Sequence, residues 1–356
     1  MASSSLLIGT YTDKLAHVDG KADGILRASY SEGGVGDAVV AAKITNPSWL
    51  CVTADGTNVY AVIETVEFDG APGGGAAAYA RDPRTGELTV LNEVPSDGVE
   101  PAHIALDPSE KFVLVGNYRT GSVSVFAREA DGSLGARVDH VQHEGSSVHE
   151  VRQTGPHAHQ ILFDPKTGLA LVPDLGLDAV LFYEFSADGK LSELSELRFS
   201  TAPGAGPRHL AFHPNGEYLF LITELDNTMI VLKRDGDGFV QNQIVSTLPA
   251  DFTGHNQTSE VRVSHSGRFV FGSNRGHDSI AMFRFDEAAG TIELVHVEPS
   301  LGEEPRDFIQ SPDGAYLLVA NQNSDNIVTF AIDEDAANLT HVGTSDAATP
   351  VCVVFV

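Results

Sequence analysis

The clearest pattern of polar and apolar positions lies between Gly206 and Leu225, GPRHLAFHPNGEYLFLITEL. A basic head, Pro207, Arg208 and His209, leads into a short apolar stretch. The chain then breaks at HPNG, residues 213 to 216, and returns through a second apolar stretch to Glu224. Two β-rich runs about an Asn-Gly turn predict a hairpin. No long stretch carries the 3.6-residue period of an amphipathic helix, and short runs rich in Val, Ile, Phe and Tyr predict an all-β protein.

The same hairpin recurs. Copies begin at Asn46 (NPSWLCVTADGTNVYAVIE), Glu100, His157, Gly206, Gln257 and Glu304, and a truncated copy, TPVCVVFV, begins at Thr349. Aligned on the turn, Pro47, Pro101, Ala158, Pro207, Thr258, Pro305 and Pro350 are equivalent, with spacings between 45 and 57 residues. A third strand follows each full hairpin, as in SVSVFARE or SIAMFRF, and then a fourth, as in IELVHVE. Four strands per period predict the blade of a β-propeller, and seven heads predict seven blades spanning residues 1–356 as one domain. Counted across the two ends the spacing is 53, one more period. The last blade is therefore expected to join TPVCVVFV, innermost, to SLLIGTYT and GILRASYS, with Lys43 and Ile44 ending its fourth strand. That join removes an open sheet edge.

Composition narrows the classes. With 356 residues, 42% hydrophobic, the chain can bury a full core. A net charge of −27 argues against nucleic acid or an anionic membrane as partner. No apolar run of membrane-spanning length occurs, and the start, MASSSLLIGTYT, has no basic segment before a long apolar one, so a cytoplasmic protein is expected. Cys51 and Cys352 stand in apolar strands and are expected to be buried free thiols.

In a propeller the innermost strand starts, and the second strand ends, on one face. The heads bring His103, His159, Arg208 with His209, Glu260 and Arg306 to that face, and the second strands bring Asn117, Asp174, Glu224, and Asn274 with Arg275. Any one of these could serve only an inter-blade ion pair. His159, Arg208, Glu224 and Arg275 are the stronger set, because neighbouring blades aim them at one mouth. The other face carries turns, where His213 and His265 are expected to be exposed. The segment from His140 to His159, HVQHEGSSVHEVRQTGPHAH, holds five histidines, but no spacing in it matches a zinc pattern. A long connection over the tunnel mouth is expected there, with neither metal nor cofactor. The glycine cluster at 69–75 matches no phosphate-loop spacing and reads as a hairpin loop.

The GTYT start, GNYRTGSVSVF, RQTGPHAHQILFDP, VPDLGLD, PRHLAFHP, SNRGHDSIAMF and EPRDFIQSPDG with VANQNSD together resemble the seven-bladed lactonase family. That family includes the propeller type of 6-phosphogluconolactonase and the fungal 3-carboxy-cis,cis-muconate lactonizing enzyme. The resemblance implies a site of His159, Arg208, Glu224 and Arg275, with His157 competing for the first place, around a small anionic lactone. Hydrolysis of 6-phosphogluconolactone is the first expectation, a muconate cycloisomerase the alternative, and a non-catalytic interaction platform the third. Opening a lactone needs a base and donors for the oxyanion. His159 or Glu224 could be the base, whereas arginines suit charge stabilisation.

Overall fold

A computed structural model describes residues 4–356. Its seven principal sheets are antiparallel and follow one another along the chain. Blade one comprises Leu50–Val52, Asn58–Ile63, Gly75–Arg81 and Leu88–Pro95, and blade two runs from Pro101–Leu106 outward to Leu134–Gln142. Blade three is built on Leu162–Phe163 and Ala170–Asp174, blade four on Pro207–Phe212 and Tyr218–Thr223. Blade five starts from Gln257–Val263 and Phe269–Arg275, and blade six from Pro305–Gln310 and Tyr316–Asn321. Blade seven is the expected join: Pro350–Phe355 pairs with Ser4–Thr10, which pairs with Ile25–Ser31. Its fourth strand is Val39–Ala42 and stops one residue before the expected Lys43, after a register shift at Ile25/Leu26.

The middle of each second strand is apolar because both of its faces are covered. In YLFLIT of blade four, Leu219 and Leu221 pack with Leu171, Val180 and Phe182 of blade three. Their pleat neighbours Tyr218, Phe220 and Ile222 pack with Val261 and Val270 of blade five. A fully buried side chain of this size is worth about 1.5–3 kcal/mol. Every one of the seven inter-blade contacts is such a core, including blade six with blade seven through Leu6, Ile8 and Leu318, and blade seven with blade one through Leu7, Cys352 and Ala61. The outermost strands mix half-buried and exposed residues, as in Leu88–Pro95, since only one side meets a neighbour.

Polar clasps add to the cores. Arg234 of blade four donates two hydrogen bonds of 2.8 Å to the buried carboxylate of Asp164 in the blade three turn, and its guanidinium lies 4.6 Å over Phe239. His213 is not exposed as expected: Gly267 of the next blade caps its Nε2 at 3.1 Å, and Phe285 packs on its ring. His265 is exposed. Both cysteines are free, Cys352 buried and Cys51 half-buried. The glycine cluster forms a short hairpin, Glu67–Phe68 with Ala71–Pro72.

Two outcomes follow for stability. Deleting residues 349–356 removes the strand on which blade seven is built, and is expected to give a protein that aggregates or melts without a cooperative transition in calorimetry. Arg234→Ala leaves Asp164 buried and unpaired, and urea unfolding should register a loss of about 3 kcal/mol.

Candidate functional site

Two backbone devices, repeated from blade to blade, set the side chains at the mouth. The residue before the head proline is left-handed at Asn46, Glu100, Gly206, Glu304 and Thr349, with φ between 41° and 69°. Its carbonyl accepts the N–H of the first residue beyond the second strand, respectively Glu64, Tyr118, Glu224, Gln322 and Tyr11. Immediately after the head the pairing slips by one residue, between Pro101/His103, Pro207/His209 and Pro305/Asp307. Such a bulge lets two consecutive residues escape strict alternation. Arg208 therefore sits at the level of the mouth, and His209 sits one layer deeper in the tunnel.

The mouth holds a cavity of about 310 Å³, bordered among others by His17, Glu64, Arg152, His159, Arg275 and Arg306. Glu224 stands at its centre. Its carboxylate is 2.5 Å from Arg152, 3.1 Å from Arg208, 3.1 Å from Arg275 and 4.0 Å from Nε2 of His159. Burial would raise this carboxyl, but Arg275, Arg152 and Arg208 together hold it well below the usual carboxylate range. Arg208 is 2% exposed and lies behind Glu224, with its Nη1 donating to the Ser259 carbonyl. Burial and then Arg275 lower its pKa to about 9, which leaves it charged at neutral pH. Arg275 donates to the Thr258 carbonyl, while its buried Nε has no protein partner. Arg306 donates to Tyr11, whose hydroxyl donates in turn to Glu64. Burial, then Arg208 and His209, hold the His159 pKa well below its ordinary value, so its ring is neutral.

Of the sequence-predicted residues, His159, Glu224, Arg275 and Arg306 line the cavity, and Arg208 supports it from behind. The others have structural partners. Asn117 and Asn274 are the last residues of their strands to pair with the third strand, and they face the blade interior, where their Nδ2 groups donate to the carbonyls of Ser96 and Thr247. Asp174 is fully buried and accepts the N–H groups of His157, Gly176 and Leu177, with His143 at 2.6 Å. The physical reason is the pleat: the residue that follows each asparagine points the other way, toward the mouth, so Tyr118 and Arg275 reach it while Asn117 and Asn274 do not. His103, His209 and Glu260 lie in the deeper layer. His103 stacks on Trp49 at 4.8 Å and accepts the N–H of Ile161 in the next blade. His157 stacks on Tyr118, 4.7 Å between centroids. The histidines of the 140–159 segment thus have separate partners.

Arg152 and His17 were not anticipated. Arg152 comes from the long connection over the mouth and also donates to the Tyr118 hydroxyl. Its only sequence signal is its place just ahead of TGPHAH. His17 is carried by the small hairpin Lys14–Leu15 with Val18–Asp19, and packs edge-on against Tyr11 at 5.4 Å. Burial, then Arg306, lower its pKa to about 4. A two-residue hairpin leaves no periodic trace, so nothing in the sequence marked it.

This geometry has relatives. The family model described as lactonase, 7-bladed beta-propeller, matches residues 5–355. A 6-phosphogluconolactonase of Bacillus subtilis is 38% identical over 353 residues, 98% of this chain and 97% of that protein. Among crystal structures, a protein from Lactobacillus plantarum superposes with a TM-score of 0.90 at 34% identity, covering 100% of both chains. A periplasmic gluconolactonase of Pseudomonas aeruginosa gives 0.90 at 32%, over 100% of this chain and 99% of that one. With its blades, its closure and its whole length matched in this way, the chain belongs to the seven-bladed β-propeller lactonase family.

Proposed function

We propose that the protein hydrolyses a sugar δ-lactone bearing an anionic group, with 6-phosphogluconolactone as the substrate. The observation that carries this reading is the pairing of a neutral histidine, His159, with a cluster of guanidinium groups around a single cavity. Arg152, Arg208, Arg275 and Arg306 outnumber the carboxylates Glu64, Glu100 and Glu224 there, and Glu100 is also paired with Arg119, so a small anion is attracted even though the protein as a whole carries −27. At physiological salt the screening length is about 8 Å, and distant surface carboxylates contribute little. The name of the Bacillus relative supports the phosphorylated lactone, and that of the Pseudomonas relative supports lactone opening more broadly.

In this mechanism His159 takes a proton from water, and the resulting hydroxide attacks the lactone carbonyl. Glu224 is a poor base because three arginines hold it ionised. Its role is to keep those arginines in place. Arg275, whose guanidinium borders the cavity, stabilises the oxyanion, and Arg152 and Arg306 receive the phosphate in the fork geometry that guanidinium offers. The cycloisomerase alternative would need a carboxylic acid to deliver a proton to carbon, a role that the ionised Glu224 does not suit.

His159→Gln is expected to lower kcat on the order of a hundredfold or more, the range of a lost general base. Arg275→Ala removes an oxyanion donor worth about 2.7–4 kcal/mol, so kcat/KM should fall at least on the order of a hundredfold. Arg152→Ala, at the rim, is expected to act mainly through KM. Steady-state assays with 6-phosphogluconolactone and with unphosphorylated gluconolactone check all three, and equal kcat/KM for the two substrates would rule out the phosphate role. Because His159 is held neutral, the rate should stay level from pH 8 down to pH 6.5, where an unperturbed histidine is about half protonated.

A further inference from the structure

From His159 a row of ionisable groups crosses the tunnel below the cavity, and the hydrolytic reaction uses only the first of them. Nδ1 of His159 is 3.2 Å from Nε2 of His209, and Nδ1 of His209 is 2.7 Å from Oε2 of Glu260. All three side chains are nearly inaccessible to solvent. They come from three consecutive blades at the level set by the head bulges. We propose that His159, His209 and Glu260 form a proton relay that stores on Glu260 the proton taken from the attacking water; this rests on the lactonase reading of the site above.

The hydrogen bonds determine the starting tautomers. An ionised Glu260 accepts, so His209 carries its proton on Nδ1 and presents a lone pair at Nε2. His159 must then donate from Nδ1, which leaves its Nε2 unprotonated on the side of Glu224 and the cavity. This is the tautomer a general base requires. When water attacks, its oxygen bonds to the lactone carbon and one of its protons passes to Nε2 of His159. The Nδ1 proton of His159 moves to Nε2 of His209, and the Nδ1 proton of His209 moves to Glu260. Both rings end neutral, now protonated at Nε2, and Glu260 ends as a carboxylic acid. The reverse transfer returns a proton through His159 to the ring oxygen as the carbon–oxygen bond breaks. The new carboxylic acid then releases its own proton to solvent, so the overall reaction consumes one water and yields a carboxylate, an alcohol and a proton.

The surroundings favour storage on Glu260 over storage on a ring. Arg208 faces both imidazoles, and Arg306, His103 and Arg262 add to the field on His209, so a buried imidazolium is penalised. Glu224 is the one carboxylate facing His159 that would favour it. Burial raises the Glu260 carboxyl above its ordinary value, against the pull of Arg262 and Arg208. Arg262 lies 3.2 Å from Glu260 and 3.2 Å from Asp307, so it keeps a carboxylate partner when Glu260 is protonated. Trp49 packs edge-on against His209 and helps keep water out of this level.

Glu260→Gln separates a relay from a scaffold, because the amide oxygen still accepts from His209 but cannot take its proton. With 6-phosphogluconolactone, the variant is expected to lose kcat on the order of a hundredfold at nearly unchanged KM, with the acid limb of its pH profile moved to lower pH, while Glu260→Asp recovers part of the rate. Wild-type kcat and an unmoved pH profile in a folded Glu260→Gln protein would overturn the relay, as would equal losses in both variants with no change in profile. Histidine 15N NMR on substrate-free protein supplies an independent reading. Both rings should be Nδ1–H at neutral pH and switch together to Nε2–H on acidification, and the switch should vanish in Glu260→Gln. A wild-type protein with His159 already Nε2–H at neutral pH would also overturn the proposal. If the tautomers switch as drawn but no lactone is opened, the substrate reading fails and the relay stands.

Discussion

A sheet with two apolar faces has no stable existence in water by itself, and that constraint organises this protein. The second strand of each blade sends alternate side chains into two different cores, so every blade depends on both neighbours. Seven blades satisfy the requirement only when the ring is closed. Closure is performed by residues far apart in sequence, with Leu6 and Ile8 meeting Leu318 on one side and Leu7 meeting Ala61 on the other. The mean strand register is therefore dictated by burial, since a slip of one residue would exchange the two cores.

The site is a consequence of the same closure. Burying a carboxylate among guanidinium groups is costly in desolvation and is repaid only when the geometry is tight. Here rigid strands from several blades converge on Glu224: Arg208 from its own blade, Arg275 from the next, and Arg152 from the loop that crosses the mouth. Removing any of them would leave charge unbalanced in a place with little water. The cluster also lets one acidic protein keep a locally cationic cavity, because screening confines the surface charge to short range. The deeper layer has another task. His103 accepts the N–H of Ile161, Gln160 that of Leu210, and Asp307 that of Val353, so three blades clasp their neighbours at one register.

The sequence alone determined the repeat, the blade count and the shared last blade, because these are written in local pattern: turn residues at fixed offsets and apolar runs of strand length. It also placed His159, Glu224 and Arg275 at one mouth, since their positions relative to the turn decide the face. Only the tertiary structure decided the remainder. Whether Asn117 or Tyr118 reaches the cavity depends on a single pleat, and whether Arg208 faces a ligand or stands behind Glu224 depends on a bulge whose hydrogen bonds run between strands. Arg152 and His17 arrive on irregular connections, whose course is set by what they pack against rather than by any period in their own residues. Local patterns are carried by neighbours in sequence, whereas the protonation and partners of a buried group are set by whatever the fold brings within a few ångströms.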